Sequence, residues 1–138
     1  MELRRPATRR HIQVRGPRAA DAVWESYVRP QRWPQWSPQI RAVDYPGETL
    51  RPGTGGVVHG PAGLRVRFRV LAVDPTGPVR SWSWAVSVAG LRLVLRHTVE
   101  SVDAGTRTGL TVDGPAPVVL SYLPVARWAL RRLVGRAR

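Results

Sequence analysis

No cysteine and no lysine occur among the 138 residues of this chain. The first absence excludes disulfides, thiol catalysis and zinc–thiolate centres. The second means that all 22 basic side chains are arginine. Acidic residues are few, 9 in all, which leaves a formal net charge of +13. No apolar run approaches the ~20 residues that a membrane-spanning helix needs. The basic segment Met1–Arg10 is not followed by an apolar h-region, which argues against a secretory signal peptide. A cytoplasmic location is the resulting expectation. The histidines stand at 11, 59 and 97, none in an HxH or HxxxH spacing, so neither a metal nor another cofactor is expected. A GxSxG elbow is missing. The cluster Gly53-Thr54-Gly55-Gly56 precedes a strand pattern and not a helix, unlike a phosphate loop. No repeat or low-complexity linker interrupts the chain. A single domain is expected, with its core over about residues 10–134 and a short basic end on either side.

What is present alternates. His11–Arg15 reads as a strand ended by Gly16-Pro17, and Arg18–Val28 then changes to helical spacing until Pro30. Gln31–Ser37 is a short turn carrying Trp33 and Trp36. Strands follow over Ile40–Tyr45, Val57–His59, Leu64–Val73, Ser81–Val88, Leu91–Val102 and Thr106–Val112, separated by Gly, Pro and Asp turns. Pro117–Arg138 closes the chain as a helix with the apolar stripe Val119, Tyr122, Ala126, Ala129, Leu130 and Leu133. Within it, Pro124 is expected either to kink the helix or to mark the end of a lead-in loop. Strands joined by short turns make an antiparallel sheet. Only the terminal helix is long enough to cover the sheet's apolar face, so the expected class is α+β.

Parity assigns the faces. Leu64, Val66, Phe68 and Val70 fall on one side of their strand; Trp82, Trp84, Val86 and Val88 on one side of the next. Leu91, Leu93, Leu95, His97 and Val99 point inward, as do Thr108, Leu110 and Val112. Arg65, Arg67, Arg69, Arg92, Arg96 and Arg107 are expected on the outer face, where a charge run usually means solvation. Nucleic acid is disfavoured as a partner, because Ser and Thr stand where base-stacking aromatics would be needed. An anionic membrane remains a candidate partner for a chain this basic.

The chain resembles the polyketide cyclase/dehydrase and lipid-transport family of the START-like superfamily, which has the helix-grip fold. The residues that carry the resemblance are Ala22-Val23-Trp24, the run Trp33-Pro34-Gln35-Trp36-Ser37-Pro38, and Pro52-Gly53. Val73-Asp74-Pro75, Trp84, His97, Gly105-Thr106 and Gly114 continue it in order. The resemblance implies a curved sheet of about seven strands around the C-terminal helix, with two short helices after the first strand. It also implies an apolar ligand held between sheet and helix.

The expected ligand-binding wall is Phe68, Trp82, Trp84, Leu93, Leu95, His97 and Leu110, with Tyr122 and Ala126 opposite. Flat aromatic side chains suit a planar apolar molecule, and they also suit an ordinary core. His97 is the one inward group able to act as catalytic acid or base; alternatively it is a hydrogen-bonded core histidine. Three functions are therefore in view: a binder or carrier of a polyketide-, lipid- or isoprenoid-like molecule, a polyketide cyclase or dehydratase using the same pocket, and a peripheral protein meeting anionic membrane.

Overall fold

The computed structural model describes residues 7–135; the basic ends expected beyond the core lie largely outside them. β1 (Ala7–Gly16) leads through Pro17 into α1 (Ala20–Val28), and a 3-10 turn at Pro30–Arg32 joins α1 to the one-turn α2 (Trp33–Trp36). Six strands follow: β2 (Ala42–Asp44), β3 (Gly55–His59), β4 (Arg65–Asp74), β5 (Val79–Val88), β6 (Leu91–Val102) and β7 (Gly105–Pro115). α3 (Ala116–Gly135) then runs as one helix with Pro124 inside it, so no lead-in loop precedes the proline. The seven strands form one antiparallel sheet in the order β1-β7-β6-β5-β4-β3-β2.

Register turns the sequence alternation into rows across the sheet. Trp82 lies opposite His97, His97 opposite Leu110, and Leu110 opposite Ile12. The next row sets Val70 against Trp84, Trp84 against Leu95, and Leu95 against Val112. All of these side chains are buried. On the opposite face Arg65, Arg67, Arg69, Arg92 and Arg96 are exposed, whereas Arg107 is half-buried and pairs with Glu100 across β6 and β7.

Parity fails at two places on β4. Leu64 is not part of the inward row: it caps the turn Pro61–Gly63 just before β4 and is 48% exposed. Between Val70 and Ala72 the register shifts, leaving Leu71 exposed and bringing Val73 opposite Trp82. A bulge inserts one extra residue and so reverses the alternation beyond it.

α3 lies mainly against β1 and β7. Its last turn is tied down by Arg18, whose backbone N–H and guanidinium donate to the Val134 and Leu133 carbonyls, each at 3.1 Å. A cation is favoured at a helix C-terminus. Gly16 permits this approach, since a Cβ there would overlap the Val134 carbonyl. Among the described residues no comparable hydrogen bond ties the first half of α3 to the sheet, and a cavity lies between it and the β3–β6 side.

The β5–β6 hairpin is closed by Ala89 and Gly90, with φ of 49° and 79° between the paired Val88 and Leu91. Two successive positive φ angles suit the twist of a tight hairpin, but a Cβ in the left-handed region is strained. Ala89→Gly should raise the stability to chemical denaturation by up to about 1 kcal/mol.

Candidate functional site

The residues facing α3 make two adjoining cavities of different character. The smaller has a volume of about 30 Å³ and lies among Trp33, Trp36, Trp82, Trp84, His97 and Leu110, under Tyr122, Ala126 and Leu130. The larger holds about 300 Å³ and sits over the β3–β6 side of the sheet. Its floor is Val58, Val66, Trp84, Val86, Val88, Leu93 and Leu95; Tyr122 and Val125 of α3 form the roof, and Pro61 and Leu64 stand at the mouth. Gln39, Ile40, Trp84 and Tyr122 border both. An open groove continues from the larger cavity past Val88, Leu93, Val118 and Ser121.

The expected ligand wall is thus divided. Trp84, Leu93, Leu95 and Tyr122 border the larger cavity. Trp82, His97, Leu110 and Ala126 border only the smaller one. Phe68 borders neither; it packs in the aromatic core, with ring centroids 5.3 Å from Trp84, 5.5 Å from Trp33 and 6.0 Å from Tyr45. Val58, Val66, Val86 and Val88 of the larger cavity carry the inward parity of their strands but were not singled out as ligand contacts. Ile40 was expected to open a strand over Ile40–Tyr45, but the observed strand is Ala42–Asp44 and Ile40 lies outside it; Gln39 falls in no expected element.

His97 is held on every side. Its ring stacks on Trp82 at 4.5 Å with the planes 9° apart. The Trp84 indole Nε1–H donates to His97 Nε2 at 3.1 Å. Because an indole can only donate, Nε2 is the acceptor and the proton of the neutral ring sits on Nδ1. Nδ1–H then donates to the Tyr27 hydroxyl at 3.3 Å. Tyr27 donates onward to Thr108 Oγ1 at 2.7 Å, and Thr108 donates to the Thr98 carbonyl at 2.9 Å. Each donor in this chain has one acceptor, and both ring nitrogens are occupied by protein.

Burial lowers the His97 pKa to about 3 and pushes the Tyr122 phenol up to about 12. The charged form of either side chain would have to give up water without a counter-charge. His97 therefore links stability to pH. Its folded pKa is depressed below the unfolded value near 6.5, so the unfolded chain binds the extra proton. The contribution is fully present above pH ~6.5 and is lost as pH falls towards 3, by up to about 1.4 kcal/mol per pH unit. Denaturant titrations between pH 6.5 and 5 should show this slope in the parent and a flatter one in His97→Gln. Identical slopes would contradict the burial of a neutral His97.

The other two histidines are elsewhere. His59 pairs with Asp44 at 2.7 Å on the outer face of β3, and His11 bonds Thr111 at 2.9 Å on the outer side of β1. Among the described residues no group of three metal-ligating side chains comes together.

Comparison with known proteins agrees with this architecture. The structure of Ara h 8.0201 superposes with a TM-score of 0.75 at 14% identity, covering 93% of this chain and 95% of that one. Hypothetical protein jhp0584 from Helicobacter pylori gives 0.73 at 14% identity, covering 96% of this chain and 88% of its own. Major latex-like protein 151 from Panax ginseng gives 0.71 at 16% identity, covering 92% and 94%. Such identities establish the fold alone. No curated protein is a significant match to the sequence. The family model for polyketide cyclase/dehydrase and lipid transport matches residues 8–137. With nearly the whole length matched and a cavity between sheet and helix, the chain belongs to the polyketide cyclase/dehydrase and lipid-transport family, and family and fold together point to a hydrophobic small-molecule ligand.

Proposed function

We propose that this protein binds one small apolar molecule in the 300 Å³ cavity and acts as a carrier or binding protein. The observation that supports this reading over catalysis is the lining. Every described residue bordering either cavity is uncharged near neutral pH, where the two titratable ones, His97 and Tyr122, are both neutral. General acid–base work favours a group with a pKa near the operating pH and in reach of the substrate. His97 fails the first condition, and both of its ring nitrogens are engaged by Trp84 and Tyr27. A neutral, environment-sensitive probe such as N-phenyl-1-naphthylamine should bind saturably, one per chain. Fluorescence that rises without saturation would count against a defined site.

A second reading concerns where the ligand is collected. Leu120 and Trp128 are 50% and 54% exposed, and with Pro124 they make an outward stripe along α3. Arg127, Arg131 and Arg132 are exposed on the same outer side, and α3 contains no acidic residue. An apolar stripe containing a tryptophan and edged by arginines suits the interface of an anionic bilayer. No helix among the described residues is long and apolar enough to cross a membrane, so any such contact is peripheral. The protein should float with vesicles containing phosphatidylglycerol and not with pure phosphatidylcholine, and Trp128→Ala should weaken flotation severalfold. Flotation unaffected by lipid charge and by Trp128→Ala would remove this reading.

A further inference from the structure

We infer that the ligand is a neutral apolar molecule carrying one hydroxyl group, which enters the small cavity to meet the Trp82 indole N–H and the Gln39 amide. The inference rests on the larger cavity being the ligand site. Four tryptophans border the small cavity, and three have their indole N–H bonded within the protein. Trp33 donates to the Tyr27 carbonyl at 2.8 Å, Trp36 to the Ser26 carbonyl at 3.3 Å, and Trp84 to His97 at 3.1 Å. Trp82, only 2% exposed, has an indole N–H with no protein partner. The buried Oε1 of Gln39 also has none. Both residues border the same space of about 30 Å³. A donor and an acceptor left buried without partners are costly, and native proteins rarely leave both beside one void.

Size and charge select what fits. A space of this volume accommodates a group the size of a water molecule or two, but not a ring. A hydroxyl both accepts and donates, so one such group answers Trp82 and Gln39 together. Gln39 also borders the larger cavity, which places the polar end next to room for an apolar body. A carboxylate is excluded by what is missing: among the described residues no arginine borders either cavity. An anion there would be buried without a counter-charge. The fitting class is therefore a phenol or apolar alcohol, and not a fatty-acid anion.

Naphthalene, 2-naphthol and 2-naphthoate test this by equilibrium dialysis, because they share a body and differ in the polar end. We expect 2-naphthol to bind about tenfold more tightly than naphthalene, and 2-naphthoate to bind weakest. Trp82→Phe and Gln39→Met should each lower 2-naphthol affinity about five- to tenfold while leaving naphthalene within twofold. If Trp82→Phe does not fold, Gln39→Met carries the same comparison. The inference is overturned if 2-naphthol and naphthalene bind alike, if 2-naphthoate equals 2-naphthol, or if the variants weaken all probes equally. In those cases the cavity is still a ligand site. Failure of all three probes to bind would instead overturn the ligand-site reading itself.

Discussion

Val86→Trp will abolish binding of N-phenyl-1-naphthylamine, lowering its affinity by at least about a hundredfold, while the protein stays folded. Val86 lies on the floor of the larger cavity, 7% exposed, between Phe68 on β4 and Leu93 on β6 in register. An indole in its place projects towards Tyr122 and Val125 and occupies the space that the proposal gives to the ligand. Overpacking a tight core costs typically ~1–3 kcal/mol, but here the added atoms enter a void and strain is small. The circular dichroism spectrum and melting transition should therefore stay close to the parent's. Retained affinity in a folded Val86→Trp protein would place the probe elsewhere.

Trp82→Ala should be the most destabilising single substitution, by about 3–5 kcal/mol. Its indole is 2% exposed and stacks on His97, with Trp33 and Trp84 at centroid distances of 5.7 and 5.2 Å. Truncation removes the large apolar area and leaves a void beneath α3 that the neighbouring rings cannot fill. It also strips the His97 ring of its stacking partner. Trp128→Ala is the matched control. At 54% exposure that side chain buries little, and its loss should change stability by no more than about 0.5 kcal/mol. Urea unfolding of both variants checks the contrast; equal effects would mean that the aromatic cluster is not the core of the fold.

Much of this could be read from alternation alone. The inward rows of β5, β6 and β7 follow from period two, because one face of an antiparallel sheet must be buried and register cannot slip by one residue without exposing it. The terminal helix was legible for the same kind of reason: Val119, Ala126, Leu130 and Leu133 recur on one side and are all buried. Where the backbone departs from regularity, parity has no purchase. Leu64 follows a turn and borders the cavity, and the shift after Val70 reverses the pattern for Val73.

The site itself was only half legible. Periodicity shows which side chains face the helix but not how closely the helix approaches them. The Arg18 tether that fixes one end of α3 is a long-range contact that no local pattern contains. The partners of His97 are hidden for the same reason. Tyr27 comes from α1, 70 residues earlier, and Trp84 reaches His97 diagonally from the row next to its own. A lone histidine among aliphatic neighbours in sequence is, in space, one link of a hydrogen-bonded chain. Gln39 shows no pattern at all, since it lies in the irregular segment between α2 and β2.

The central claim is that the cavity between the β3–β6 side of the sheet and the first half of α3 binds one neutral apolar molecule. Native mass spectrometry of the protein mixed with N-phenyl-1-naphthylamine tests it most directly, with the parent and Val86→Trp measured side by side. The account predicts one probe molecule per chain on the parent and none on Val86→Trp. A parent that carries no probe, or a Val86→Trp protein that carries it equally well, would contradict it.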